Sequence, residues 1–261
     1  MMSDKPDSTL ASAFASSPNH GARAHGRAPN CLVLHYTGMA SGEAALAHLR
    51  RSEAQVSCHY FIWEDGRIDQ LVREERRAWH AGASCWKGER DINSSSIGIE
   101  IVNAGHPGGL PLFPPAQMGA VAVLCRDIAA RHGIPPERVL AHSDIAPGRK
   151  VDPGENFPWA WLATQGVGVW PDDVAPAANA PLLASAPLLE GDCGERVSEW
   201  RESLARWGYD IAPGDTFDAH TRVVVEAFQR HFRPARVDGV ADAETQGVLS
   251  ALLRGFGDRL V

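Results

Sequence analysis

The chain lacks several things that would set its class at once. No apolar run approaches the roughly 18–20 residues of a membrane-crossing helix. There is also no basic tract: the formal net charge is −7 and the sequence pI about 5.9. Nucleic acids and anionic membrane surfaces are held by clustered Lys and Arg, so neither is an expected partner. Cysteine is sparse. Cys31, Cys58, Cys85, Cys125 and Cys193 are odd in number and widely spaced, with no Cys-x-x-Cys pair, which argues against both a disulfide framework and a Cys-rich metal site. No His-Glu-x-x-His helix is present. The first thirty residues carry no charged region followed by an apolar core, so no export signal is read and a cytoplasmic protein is expected. The alternative is a periplasmic protein whose signal has been removed.

What remains is ordinary globular material: 44 % hydrophobic and 22 % charged residues in 261, enough for two unequal cores without staples. Residues 1–28 are polar, rich in Ser, Ala and His, and predict a disordered tail. Residues 29–170 alternate between strand and helix patterns. Residues 171–192 are rich in Pro and Ala and predict a linker. Residues 193–261 have helical periodicity throughout, with apolar positions at Val197, Trp200, Leu204 and Trp207, then Val224, Phe228 and Phe232, then Val248, Leu249, Leu252 and Leu253. A three-helix, all-α domain is expected there.

In the larger domain, Cys31 to Leu34, Ser57 to Trp63, Arg67 to Val72, Ile97 to Val102 and Val139 to Ala141 predict strands. Glu64-Asp65-Gly66 reads as a hairpin turn. Ser41 to Arg51 and Pro115 to His132 predict helices, the second closed by Gly133. The expected class is α/β, a mixed sheet flanked by helices.

The chain has 11 histidines, and two are distinguished by place. His35 directly follows one apolar strand and His142 another; in open α/β sheets ligands gather where strands end. Asp152 lies ten residues beyond His142, after a loop bent by Pro147 and Gly148. Two imidazoles and one carboxylate suit zinc with one position left for water, the composition of a catalytic site. Glu100, between Ile99 and Ile101, is a candidate general acid/base; alternation alone equally allows an outward-facing surface residue. Lys150 is either a cation aimed at a developing oxyanion or plain surface charge.

His35-Tyr-Thr37, Val56-Ser-Cys-His-Tyr60, Arg77-Ala-Trp-His-Ala-Gly82, Asn93 with Ser96-Ile-Gly-Ile-Glu100, and the run from His142 to Gly154 resemble, in order and spacing, the AmpD/AmiD-type zinc-dependent N-acetylmuramoyl-L-alanine amidases, relatives of peptidoglycan recognition proteins. The resemblance covers about half the chain. It implies zinc held by His35, His142 and Asp152, Glu100 as acid/base, Lys150 as oxyanion stabiliser, and substrate-lining roles for Trp79, His80 and Ala81. The implied substrate is peptidoglycan or a muropeptide, including the 1,6-anhydro form, cut between muramic acid and L-alanine. The tail, through Trp207-Gly-Tyr209, Thr216-Phe-Asp218, Ala227-Phe-Gln229 and Val237-Asp-Gly239, is similar to the helical peptidoglycan-binding domain. A recognition protein that holds muropeptides uncut, and a metallopeptidase acting within the stem, are the rival readings. Oligomeric state is not legible.

Overall fold

The computed structural model describes residues 5–171 and 186–256. Most of the expected linker, and the first four residues of the expected tail, lie outside the described residues. The chain divides into two compact units. The first comprises Met1–Ser84, Asp91–His142 and Asp152–Val169; the second comprises Cys85–Arg90, Ser143–Val151 and Trp170–Val261.

The first unit is built on β1 (Ala13–Phe14), β2 (His20–Ala22), β3 (Cys31–Tyr36), β4 (Tyr60–Ile62), β5 (Ile68–Gln70), β6 (Arg76–Ala78), β7 (Ser96–Ile101) and β8 (Val139–Ala141). A six-stranded sheet runs in the order β1-β5-β4-β7-β3-β8, and β2 pairs with β6 apart from it. The sheet is mixed: β4 and β5 form an antiparallel hairpin, while β4, β7, β3 and β8 run parallel. Parallel strands are covered on both faces, which is why Cys31 to Leu34 is a continuous apolar run with every residue fully buried. The hairpin depends on Gly66, whose φ is +87°; a Cβ there would stand 2.8 Å from the Ala116 carbonyl oxygen. The helices are α1 (Gly42–Leu49), α2 (Ile92–Ser95), α3 (Pro115–His132), α4 (His142–Ile145) and α5 (Trp159–Thr164). Ala45 and Leu49 of α1 pack with Phe61, Trp63 and Leu71; a side chain of this size contributes about 1.5–3 kcal/mol when fully buried.

The polar N-terminal stretch corrects an expectation. Residues 5–28 are described as ordered chain that includes β1 and β2. Backbone bonds do the holding: the Ser12 and Ala15 N–H groups donate to the Ile68 and Gln70 carbonyls, both at 2.7 Å. Buried polar side chains complete it. Asn19 donates to the Arg51 and Val56 carbonyls at 2.8 and 2.9 Å. Arg23 donates to the carbonyls of Glu74, Ser94 and Ser96. Strand addition of this kind needs no apolar pattern, so composition did not reveal it.

The second unit contains three long helices, as expected: α6 (Glu195–Trp207), α7 (Ala219–Phe232) and α8 (Ala243–Phe256). Leu204, Val224, Phe228 and Leu252 form its dry interior. The end of the expected linker belongs here too, since Leu188 and Ala241 exchange backbone hydrogen bonds at 3.1 and 2.9 Å. Two short segments that the sequence places in the larger domain also pack in this unit. The Trp86 ring meets Tyr209 edge-on at 5.1 Å. Buried Asp144 accepts from the Tyr209 hydroxyl at 2.7 Å and meets His231 Nδ1 at 2.7 Å. All five cysteines are free, and only Cys193 is exposed. No helix among the described residues is long and apolar enough to cross a membrane.

Candidate metal and catalytic site

Strand register builds the site. Parallel partners share a face, and β3 pairs with β7 so that His35 lies opposite Glu100. On its other side β3 pairs with β8, the last pair being Leu34 with Ala141. One further step puts His142 beside His35. Glu100 and His35 therefore share one face of two adjacent strands, and His142 directly follows the third. This removes the outward-facing alternative for Glu100, which is the one residue of β7 that is not fully buried.

Asp152 completes the group. His35 Nδ1 and His142 Nδ1 are 2.9 Å apart, and each lies close to Asp152 Oδ2, at 3.0 and 2.9 Å. All three residues are buried. His142 Nε2 lies 3.1 Å from the Ala81 carbonyl oxygen. A carbonyl only accepts, so this nitrogen carries a hydrogen, and Nδ1 is the atom turned toward Asp152. Asp152 Oδ2 and His142 Nδ1 face each other at 2.9 Å. Two imidazole nitrogens and a carboxylate oxygen are the donor set of a three-ligand metal site, and these residues could hold one.

The remaining sequence candidates are distributed as follows. Lys150 lies in the turn after α4, partly exposed, with its N–H bonded to the Ala146 carbonyl at 3.0 Å; it falls in the second unit. Trp79 is half-buried, whereas His80 and Ala81 are buried. His80 lies against the sheet, with Nδ1 3.0 Å from His35 Nε2 and Nε2 3.0 Å from Ser96 Oγ. Burial and the surrounding histidines push its pKa below the ordinary imidazole value. Asn93 Oδ1 accepts from the N–H groups of both His80 and Ala81, at 3.0 and 2.8 Å. Sequence reasoning gave Asn93, Ser96 and Gly98 no role; the only signal was a glycine interrupting an otherwise branched strand, Ile97-Gly-Ile99.

The family model for N-acetylmuramoyl-L-alanine amidases matches residues 25–155, a span that holds both histidines, the aspartate and Glu100. The chain belongs to this amidase family. A second model, a putative peptidoglycan binding domain, matches residues 193–249. Among relatives, the N-acetylmuramoyl-L-alanine amidase AmiD of Escherichia coli K12 is 44 % identical over 238 residues, covering 87 % of this chain and 83 % of AmiD. The 1,6-anhydro-N-acetylmuramyl-L-alanine amidase AmpD of Citrobacter freundii is 32 % identical, covering 55 % of this chain and 84 % of AmpD. The fold matches E. coli AmiD in complex with the substrate anhydro-N-acetylmuramic acid-L-Ala-D-gamma-Glu-L-Lys, with a TM-score of 0.76 over 88 % of this chain and 90 % of that one. It also matches AmpDh3 of Pseudomonas aeruginosa in complex with anhydromuramic pentapeptide, at 32 % identity and a TM-score of 0.74 over 98 % and 99 % of the two chains. The amidase match and the peptidoglycan-binding match leave residues 156–192 between them.

Proposed function

We propose that this amidase hydrolyses the amide bond joining N-acetylmuramic acid, or its 1,6-anhydro form, to L-alanine in peptidoglycan or muropeptides, with zinc held by His35, His142 and Asp152. The supporting observation is the meeting of two imidazole nitrogens and a carboxylate oxygen within 3.0 Å of one another. When bound there, zinc supplies Lewis acidity, lowering the pKa of a water and polarising the scissile carbonyl. Glu100, on the same face as His35, takes a proton from the attacking water as its oxygen bonds to the lactyl carbonyl carbon. As the carbon–nitrogen bond breaks, Glu100 returns that proton to the departing L-alanine nitrogen. Lys150 stabilises negative charge on the carbonyl oxygen. Half-buried Trp79 offers the substrate an aromatic face; the parts assigned to His80 and Ala81 are taken up below.

The test is mass spectrometry of an anhydromuropeptide digest. A free peptide beginning with L-alanine is expected from zinc-loaded protein, and none after chelation. Products cut within the stem, or turnover that survives chelation, would refute the reading. The same digest on intact sacculi separates muropeptide recycling, which goes with a cytoplasmic site of action, from wall degradation in the periplasm.

A further inference from the structure

The resemblance gives His80 and Ala81 to the substrate, yet both are buried, and they bond to His35 and His142 respectively. Their hydrogen bonds run in one direction. The Ile92 carbonyl only accepts, so the Ser96 hydroxyl, 2.6 Å away, spends its single hydrogen there. Ser96 Oγ must then accept from His80 Nε2 at 3.0 Å. With its hydrogen on Nε2, His80 presents a lone pair at Nδ1. That lone pair accepts from His35 Nε2 at 3.0 Å, which leaves the Nδ1 lone pair of His35 facing His142 and Asp152. The neighbouring Ala81 carbonyl does the same for His142 through its Nε2.

Gly98 makes room for this chain. A Cβ on Gly98 would stand 2.4 Å from the His80 ring, so no larger residue lets His80 lie flat over β7 between Ser96 and His35. Asn93 fixes the backbone of the pair by accepting both N–H groups on one oxygen.

We propose that the His80–Ala81 pair, pinned by Asn93 and seated on Gly98, is a tautomer lock: it holds both histidines with hydrogen on Nε2 and so presents both Nδ1 atoms to the metal. His80 is a positioning residue and not a substrate contact. Hydrogen bonds on the far nitrogen of a ligand histidine fix its orientation and typically carry 10- to 100-fold in metal affinity. The lock rests on the ligand set proposed above.

Two measurements test it. Long-range proton–nitrogen correlation spectra of the zinc-loaded wild-type protein, labelled at histidine nitrogen, should show His35, His142 and His80 all with hydrogen on Nε2. Hydrogen on His35 Nδ1, or on His80 Nδ1, overturns the lock whatever the variants do. Zinc affinity, read by competition with a chromophoric chelator, should fall roughly 10- to 100-fold in His80→Leu. It should recover in His80→Asn, whose amide oxygen can replace the Nδ1 acceptor. The reverse order, with Leu retaining affinity and Asn losing it, would make His80 a packing residue and refute the proposal. If His142→Ala still binds zinc like the wild type, the ligand set fails and the lock with it. If His142→Ala loses zinc while both His80 variants match the wild type, the lock alone fails.

Discussion

Both units bury polar groups to hold their own chain, and the first also buries a convergent trio of His35, His142 and Asp152. In the second, buried Gln229 and Arg201 are spent on holding their own unit together. Gln229 accepts from the N–H groups of Asp238 and Gly239, both at 2.9 Å, and donates to the Val240 carbonyl at 3.0 Å. Arg201 donates to the Ala212 and Thr216 carbonyls. Asp218 caps α7 by accepting from the Thr221 N–H at 2.7 Å. In the first unit, by contrast, His35 Nδ1, His142 Nδ1 and Asp152 Oδ2 converge within 3.0 Å of one another. Buried groups bonded to their own backbone specify a fold; two imidazole nitrogens and a carboxylate oxygen converging on one point suit a metal ion. The difference assigns the helical signature residues to turns and core.

The contrast can be broken most sharply at its centre. His142→Ala should lose bound zinc and drop turnover to the detection limit, both read on one sample by metal analysis and muropeptide digestion. Glu100→Ala should keep a full zinc complement and lose about 10²–10⁴-fold in turnover; near-normal turnover would remove Glu100 from the mechanism.

Stability effects follow. Glu74 is buried, which raises its carboxyl, but hydrogen bonds from Arg131, Tyr60 and His132 prevail and lower it to about 2. A depressed carboxylate stabilises the fold above its ordinary pKa of 4.5, and this stability is lost as pH falls through about 2. Glu74→Gln should therefore cost up to about 3 kcal/mol at pH 7. The difference from wild type should shrink below pH 4.5 and vanish near pH 2 in thermal melts; a pH-independent difference would contradict the charge argument. Gln229→Leu should cost about 2 kcal/mol by leaving two N–H groups without their acceptor. Zinc stoichiometry should be unchanged, and a loss of zinc in this variant would erase the distinction between the units.

Much of this was legible in the chain. His35 and His142 stand out because each ends a short apolar strand, and Val139–Ala141 and Pro115–His132 form where periodicity puts them. Register was not legible: nothing in Ser96–Ile101 alone says that Glu100 shares a face with His35, because a one-residue slip would reverse it. The N-terminal strands were missed because backbone pairing leaves no apolar trace. The packing of Trp86 and Asp144 in the second unit was missed because their partners, Tyr209 and His231, lie 123 and 87 residues away respectively. The hydrogen bonds around His80 were not legible for a related reason: a motif preserves the spelling of a residue and not the direction of its hydrogen bonds.

The most direct measurement of the central claim is an anomalous difference map of zinc-loaded crystals at the zinc absorption edge. One peak is expected, bounded by His35 Nδ1, His142 Nδ1 and Asp152 Oδ2, with Glu100 on the same face. A peak elsewhere, or none in crystals of protein shown to carry zinc, would contradict it.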